Sequence, residues 1–229
     1  MQTKKKSIRQ SKLKIGVLYG GRSGEHDVSL CSAASVVAAL DKSKYDLVAI
    51  GIDRDGRWYV QEKPEMIDDK DFGKILSLKK RGAWLVNHFE QRNKLHIYNI
   101  ASPGEKVVID LVFPVLHGTY GEDGTLQGLL ELAMVPYVGV DVAGAAVGMD
   151  KDIAKRLLSE AGIPVVPWMT VSKYQRKDKP GKILREALAK LELPLFVKQL
   201  CTGSSVGVVK VKNRKDLAAA VDYALQFDT

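Results

Sequence analysis

No stretch of this chain approaches the ~20 consecutive apolar residues of a membrane-spanning helix. Its first apolar run, residues 15–19, follows a basic tail but is shorter than the ~7–15-residue core of a secretion signal. Cysteine is scarce. Cys31 and Cys201 stand apart, with no spacing that would build a disulfide framework or a metal knuckle. These absences predict a reducing, cytoplasmic setting with no membrane partner. Acidic residues are missing from the first fourteen positions, where Lys4, Lys5, Lys6, Arg9, Lys12 and Lys14 account for most of the net charge of +8. The rest of the chain is nearly balanced, with 29 basic residues against 27 acidic ones. A nucleic-acid domain would spread its basic residues over a folded face with aromatics between them. The charge therefore predicts no nucleic-acid partner, and residues 1–13 read as a disordered, solvated tail.

What is present is ordinary globular composition: 229 residues, 45% apolar and 27% charged, enough to bury a core. Short apolar runs alternate with helical patterns. Residues 14–19, 45–52 and 107–116 read as strands, the last continuous in apolar residues, as befits a strand covered on both faces. Residues 28–40 and 125–134 read as helices, and 136–140 as a short strand. This alternation predicts an α/β fold with a Rossmann-like parallel sheet over residues 14–148. Residues 56–106 break the rhythm and read as an insertion of short amphipathic strands.

A different unit is expected over residues 149–229. Asp150 is placed to cap a helix over 150–161, and Gly162 to end it. Further segments follow at 165–171, 182–191 (helix) and 216–227 (helix). Strands at 195–200 and 206–211 are too close for a crossover, so they must form an antiparallel hairpin, giving an α+β unit.

Four stretches carry chemistry. Gly20-Gly21-Arg22-Ser23-Gly24-Glu25-His26-Asp27-Val28-Ser29 follows the first strand and opens the first helix. Its glycine spacing is not that of a dinucleotide loop, and its acids would repel a pyrophosphate. A carboxylate there suits an ammonium ligand, or merely complements the helix dipole. His117-Gly118-Thr119-Tyr120-Gly121-Glu122-Asp123-Gly124 follows the third strand, beyond a sheet edge where ligands of open parallel sheets bind. Lys151 opens the helix of the second unit. Lys198 lies in an otherwise apolar strand, a costly place unless it reaches an anion, and the Gly203-Ser204-Ser205-Val206-Gly207 loop after it is suited to closing on a phosphate.

These motifs, with Met149-Asp150-Lys151 and Gln127-Gly128, stand in the order seen in D-alanine–D-alanine ligases, and the chain resembles that family over nearly all of residues 14–211 outside the insertion. The resemblance implies an ATP-grasp fold in which 14–148 is the N-terminal domain and 149–229 the central ATP-grasp subdomain, the C-terminal subdomain being absent. It implies that Glu25 holds the ammonium of the first D-alanine, that Val28 packs beside it and that His117 orients it. Lys151, Lys198, Gly203, Ser204 and Ser205 would bind ATP, and Ser204 would join Glu25 as a catalytic residue.

The reaction implied is ATP-dependent ligation of two D-alanines through an acyl phosphate, for peptidoglycan synthesis. Its cofactor is Mg²⁺ (or Mn²⁺), with ligands outside this chain, and its assembly is a homodimer. Two departures stand out: Gln199 replaces the usual proline after the strand lysine, and no metal ligands are identifiable. As a fragment, the chain is expected to be inactive alone. Ligases joining D-alanine to D-lactate or D-serine, other ATP-grasp carboxylate–amine ligases, and a non-catalytic nucleotide- or ligand-binding protein remain alternatives.

Overall fold

The computed structural model describes residues 11–82, 84–87, 93–102, 104–203 and 207–227. Ser204 and Ser205, and most of the basic tail, lie outside the described residues. The chain divides into two compact units: residues 1–117 with 126–139, and residues 118–125 with 140–229.

The first unit is built on β1 (Leu13–Gly20), whose residues from Gly16 to Gly20 are all buried. After β1 come α1 (His26–Ala39) and β2 (Tyr45–Ile52), then β3 (Trp58–Gln61), β4 (Met66–Asp69), β5 (Gly73–Leu76), β6 (Trp84–Asn87), β7 (Leu95–Asn99), β8 (Lys106–Ile109), β9 (Leu111–Pro114) and α2 (Thr125–Leu132). The main sheet runs β3-β2-β1-β9. β1 is parallel to both β2 and β9, while β3 is antiparallel to β2. On one face Ile15, Val17 and Tyr19 pack against Leu30, Ala33, Ala34 and Val37 of α1 and Ile75 and Leu76 of β5. On the other, Leu18, Ile50 and Val112 meet Leu126 and Leu130 of α2 and Leu95, Ile97 and Ile109 of the small sheet β6-β7-β8. A strand covered on both faces reads as an unbroken apolar run, which is why β1 and β2 were legible.

Three expectations need correction. Residues 107–116 are not one strand. They are β8 and β9, in different sheets, and the chain switches at Asp110. The Asp110 carboxylate accepts from the Lys14 backbone N–H at 2.8 Å and from Lys94 Nζ at 2.7 Å, while its own N–H donates to the Lys14 carbonyl at 2.9 Å. Residues 136–140 form only a single parallel bridge, Val112 to Tyr137. Trp58–Gln61 is the antiparallel edge of the main sheet rather than part of a separate insertion.

The turn from β2 to β3 is organised by Asp53, which is 2% exposed. Its carboxylate accepts from the N–H groups of Asp55 and Arg57, each at 2.9 Å, and pairs with Lys80 at 3.1 Å. Burial would raise its pKa, but the bonds from Arg57, Lys80 and Asp55 outweigh it and hold the carboxyl below its usual value. We expect Asp53→Ala to destabilise the protein by about 3 kcal/mol at pH 7, since two backbone donors and an ammonium lose a charged acceptor. A lowered folded-state pKa contributes stability that is full above the unfolded value of about 4 and is lost as the pH falls through the folded value. The gap between wild type and variant should therefore narrow in acid. Denaturant midpoints measured at neutral and acid pH check this, and equal midpoints at pH 7 would rule it out.

The second unit contains α3 (Val142–Met149), α4 (Lys151–Glu160), α5 (Lys173–Asp178), α6 (Pro180–Lys190), β10 (Leu195–Val197), β11 (Val209–Val211), a short 3₁₀ turn (Arg214–Asp216) and α7 (Leu217–Ala224). β10 and β11 pair antiparallel, and Leu195, Val211, Leu217, Ala220 and Val221 join Ala187 of α6 in one core. Asp150 caps α4 as expected, accepting from the N–H groups of Asp152 (2.8 Å) and Ile153 (3.0 Å). Gly162 takes the left-handed conformation (φ 74°) just past its end. The segment 165–171 has no regular structure. Among the described residues no helix is long and apolar enough to cross a membrane.

Candidate functional site

In the first unit, β1 ends at Gly20 and Gly21, both with positive φ (88° and 97°). A Cβ at Gly20 would come 2.3 Å from the Ile52 carbonyl oxygen, so the chain must turn on glycine here. The turn brings α1 up beside the loop that leaves β9. Serines of α1 and its lead-in tie the two together. Ser23, 5% exposed, donates to the His117 carbonyl at 2.6 Å and accepts from the Glu25 N–H at 3.1 Å. Ser29, fully buried, accepts from the Gly20 N–H at 2.8 Å and donates to the Val115 carbonyl. Ser32 Oγ lies 2.9 Å from Nε2 of His117.

The residues expected to hold the first substrate are thus on one edge. Glu25 is at the N-cap of α1, partly buried, and its carboxylate makes no capping hydrogen bond. Val28, also partly buried, lies in the first turn of α1. His117 stands at the start of the neighbouring loop. Asp27, the other acid at this helix end, pairs with Arg54 at 2.7 Å.

Within the second unit, the 118–125 loop closes on itself. Glu122 accepts from the Gly118 N–H at 2.6 Å, and Asp123 from the N–H groups of Tyr120 (2.8 Å) and Thr125 (3.0 Å). Burial raises the Asp123 pKa, but these bonds more than offset it, leaving the carboxyl below its usual value. Both acids of the motif are therefore occupied in shaping the loop.

Further along this unit, Lys151 donates from Nζ to the carbonyls of Leu200 (2.9 Å) and Thr202 (2.8 Å), fixing the first turn of α4 against the lead-in to the 203–207 loop. Gly203 is partly buried at the end of that lead-in. Lys198 differs from expectation. β10 ends at Val197, and along it Leu195 is buried, Phe196 exposed and Lys198 exposed. A two-stranded sheet has one face in water, so Lys198 bears no burial cost. It lies 6.0 Å from the centre of the Phe196 ring, with Lys210 at 5.6 Å. Gln199, in the place of the expected proline, is buried and accepts from the Thr202 hydroxyl.

Sequence reasoning missed Asp152, Lys155 and Trp168. Asp152 accepts from Trp168 Nε1 and Thr170 Oγ1, both at 2.7 Å, and from Arg156 at 2.8 Å. Burial raises its pKa, but these donors hold the carboxyl below its usual value. Lys155 lies over the Trp168 ring, 5.5 Å from its centre. The only signal in the sequence was the i, i+4 spacing of Lys151 and Lys155, which puts them on one helix face. Among the described residues no group of three or more His, Cys, Asp or Glu could hold a metal ion.

A family model described as D-ala D-ala ligase N-terminus matches residues 14–140, and one described as D-ala D-ala ligase C-terminus matches 157–229. The chain belongs to the D-alanine–D-alanine ligase family. D-alanine–D-alanine ligase A of Escherichia coli is 40% identical over 217 residues, covering 95% of this chain and 58% of that protein. Among solved structures, the VanG D-Ala:D-Ser ligase of Enterococcus faecalis superposes with a TM-score of 0.76 at 35% identity, covering 96% of this chain and 61% of its own. The D-alanine–D-alanine ligase of Coxiella burnetii gives 0.76 at 35% identity, covering 95% and 59%. The chain thus spans somewhat under two thirds of its ligase relatives, and its fold is the α/β, ATP-grasp fold of those ligases.

Proposed function

We propose that the full-length protein joins two D-alanines to D-alanyl-D-alanine at the expense of ATP, for peptidoglycan synthesis. The observation that carries this reading is the 40% identity to a D-alanine–D-alanine ligase over 95% of the chain. Residues 14–148 serve as the N-terminal domain and 149–229 as the central ATP-grasp subdomain. Glu25 receives the ammonium of the first D-alanine, Val28 packs against it and His117 orients it. Lys151, Lys198 and the Gly203–Ser205 loop receive the ATP phosphates, and Glu25 and Ser204 are the catalytic residues. A carboxylate oxygen of the first D-alanine bonds to the γ-phosphorus as the β–γ bridge breaks and ADP leaves. The amine of the second then bonds to the acyl carbon, phosphate leaves and the amine loses a proton. Positioned cations and N–H groups supply most of the rate in such transfers. The Mg²⁺ ligands belong to the part of the relatives that this chain does not span. The protein works in the cytoplasm as a homodimer.

The E. faecalis neighbour favours a second reading, with D-serine as the second substrate. One assay tests both. The chain extended to its relatives' length should release phosphate only with ATP and D-alanine together, and mass spectrometry should find D-alanyl-D-alanine. The 229-residue chain alone should not. Mixed product when D-serine is added favours the second reading. A folded full-length protein with no D-alanine-dependent ATP turnover refutes both and leaves a binding protein.

A further inference from the structure

Lys155 has no part in the reading above, yet its surroundings are those of a ligand-binding cation. It lies one turn beyond Lys151, whose bonds to Leu200 and Thr202 hold this end of α4 against the segment that carries Lys198. Its stem is steered by the Trp168 ring, and that ring is itself fixed by the bond from its indole N–H to Asp152. Asp152, the acid nearest along the helix, does not neutralise it, being paired with Arg156. Burial, and then the positive charge of Lys198, push the Lys155 pKa below the usual lysine value. The Lys151 bonds bring the first turns of α4, with Lys155, to the segment two residues past Lys198, and among the described residues no salt bridge joins a carboxylate to either lysine. Like charges held together without an acid are stabilised by a shared anion.

We propose that Lys155 and Lys198 hold the same anionic group, a phosphate of the nucleotide, with Trp168 as the platform that aims Lys155. This rests on the nucleotide reading above and adds to it a third lysine and its aromatic support.

The test is a double-mutant cycle read by calorimetric titration of the full-length protein with ADP and, separately, with inorganic tripolyphosphate. Lys155→Gln and Lys198→Gln should each raise Kd roughly 10-fold, the scale of one lost charge-assisted bond. The double variant should lose clearly less than the product of the two, because groups that share a partner are not additive. Lys155→Arg should keep most of the affinity, and the melting temperature without ligand should stay within a degree or two of wild type. Lys155→Met, which keeps an apolar stem on Trp168, carries the test if Lys155→Gln fails to fold. Normal affinity in Lys155→Met, with weak binding in Lys198→Gln, overturns this proposal and leaves the nucleotide reading standing. Fully additive losses overturn the shared anion. Absence of nucleotide binding by the wild type overturns both readings.

Discussion

Lys198→Ala in the full-length protein is expected to lower kcat by about 10²–10³-fold and to raise the KM for ATP. The magnitude is that of removing one placed donor from a site where charge develops during transfer. The structure makes this a clean experiment. Lys198 is exposed just beyond β10, where its side chain supports no core, so truncation should leave the melting temperature unchanged. Any rate loss then belongs to the reaction rather than to the fold. Full activity in a folded Lys198→Ala protein would remove this lysine from the phosphate site.

Glu25→Gln should raise the KM for the first D-alanine by roughly 10–100-fold, with ATP affinity little changed. A charge-assisted hydrogen bond is worth roughly 1.5–3 kcal/mol, and the amide keeps the size while losing the charge. The rival account is that Glu25 serves the α1 dipole. It predicts roughly 0.3–1 kcal/mol less stability and normal kinetics. Glu25 does stand at the N-cap, but its carboxylate makes no capping bond, and the neighbouring Asp27 is engaged by Arg54. Melting temperature and D-alanine kinetics on this one variant separate the accounts. A stability loss with an unmoved KM would displace the substrate site from this helix end.

Most of the first unit was legible because its central strands are buried on both faces and its first helix carries small residues toward the sheet. The failures have physical causes. Asp110 interrupts an apolar run, and only the tertiary bonds to Lys14 and Lys94 reveal that a lone acid there marks a switch between sheets. Helix α3 was invisible because Val-Ala-Gly-Ala-Ala-Val-Gly-Met has no polar face and two weak helix formers. Lys198 was over-read, since burial was inferred from sequence neighbours while its strand proved short and one-sided. Lys155 was under-read. A lysine on a charged helix looks solvated until the fold brings Trp168 beneath it. The loops after β1 and β9 were marked by their glycines, but the serines that join them were not, because a hydroxyl's partner across the fold leaves no mark in the sequence.

Those serines bear on how a first substrate would be received. Ser29 joins the β1 turn to the end of β9, and Ser23 and Ser32 secure His117 from two directions. Loops bound this way lose their conformational freedom when the protein folds, at roughly 1–2 kcal/mol of backbone entropy per residue. A small ligand such as an amino acid offers few atoms with which to offset that cost on arrival. Here it would meet loops whose backbone is already set, so more of its contact energy would remain available for orienting the reacting carboxylate.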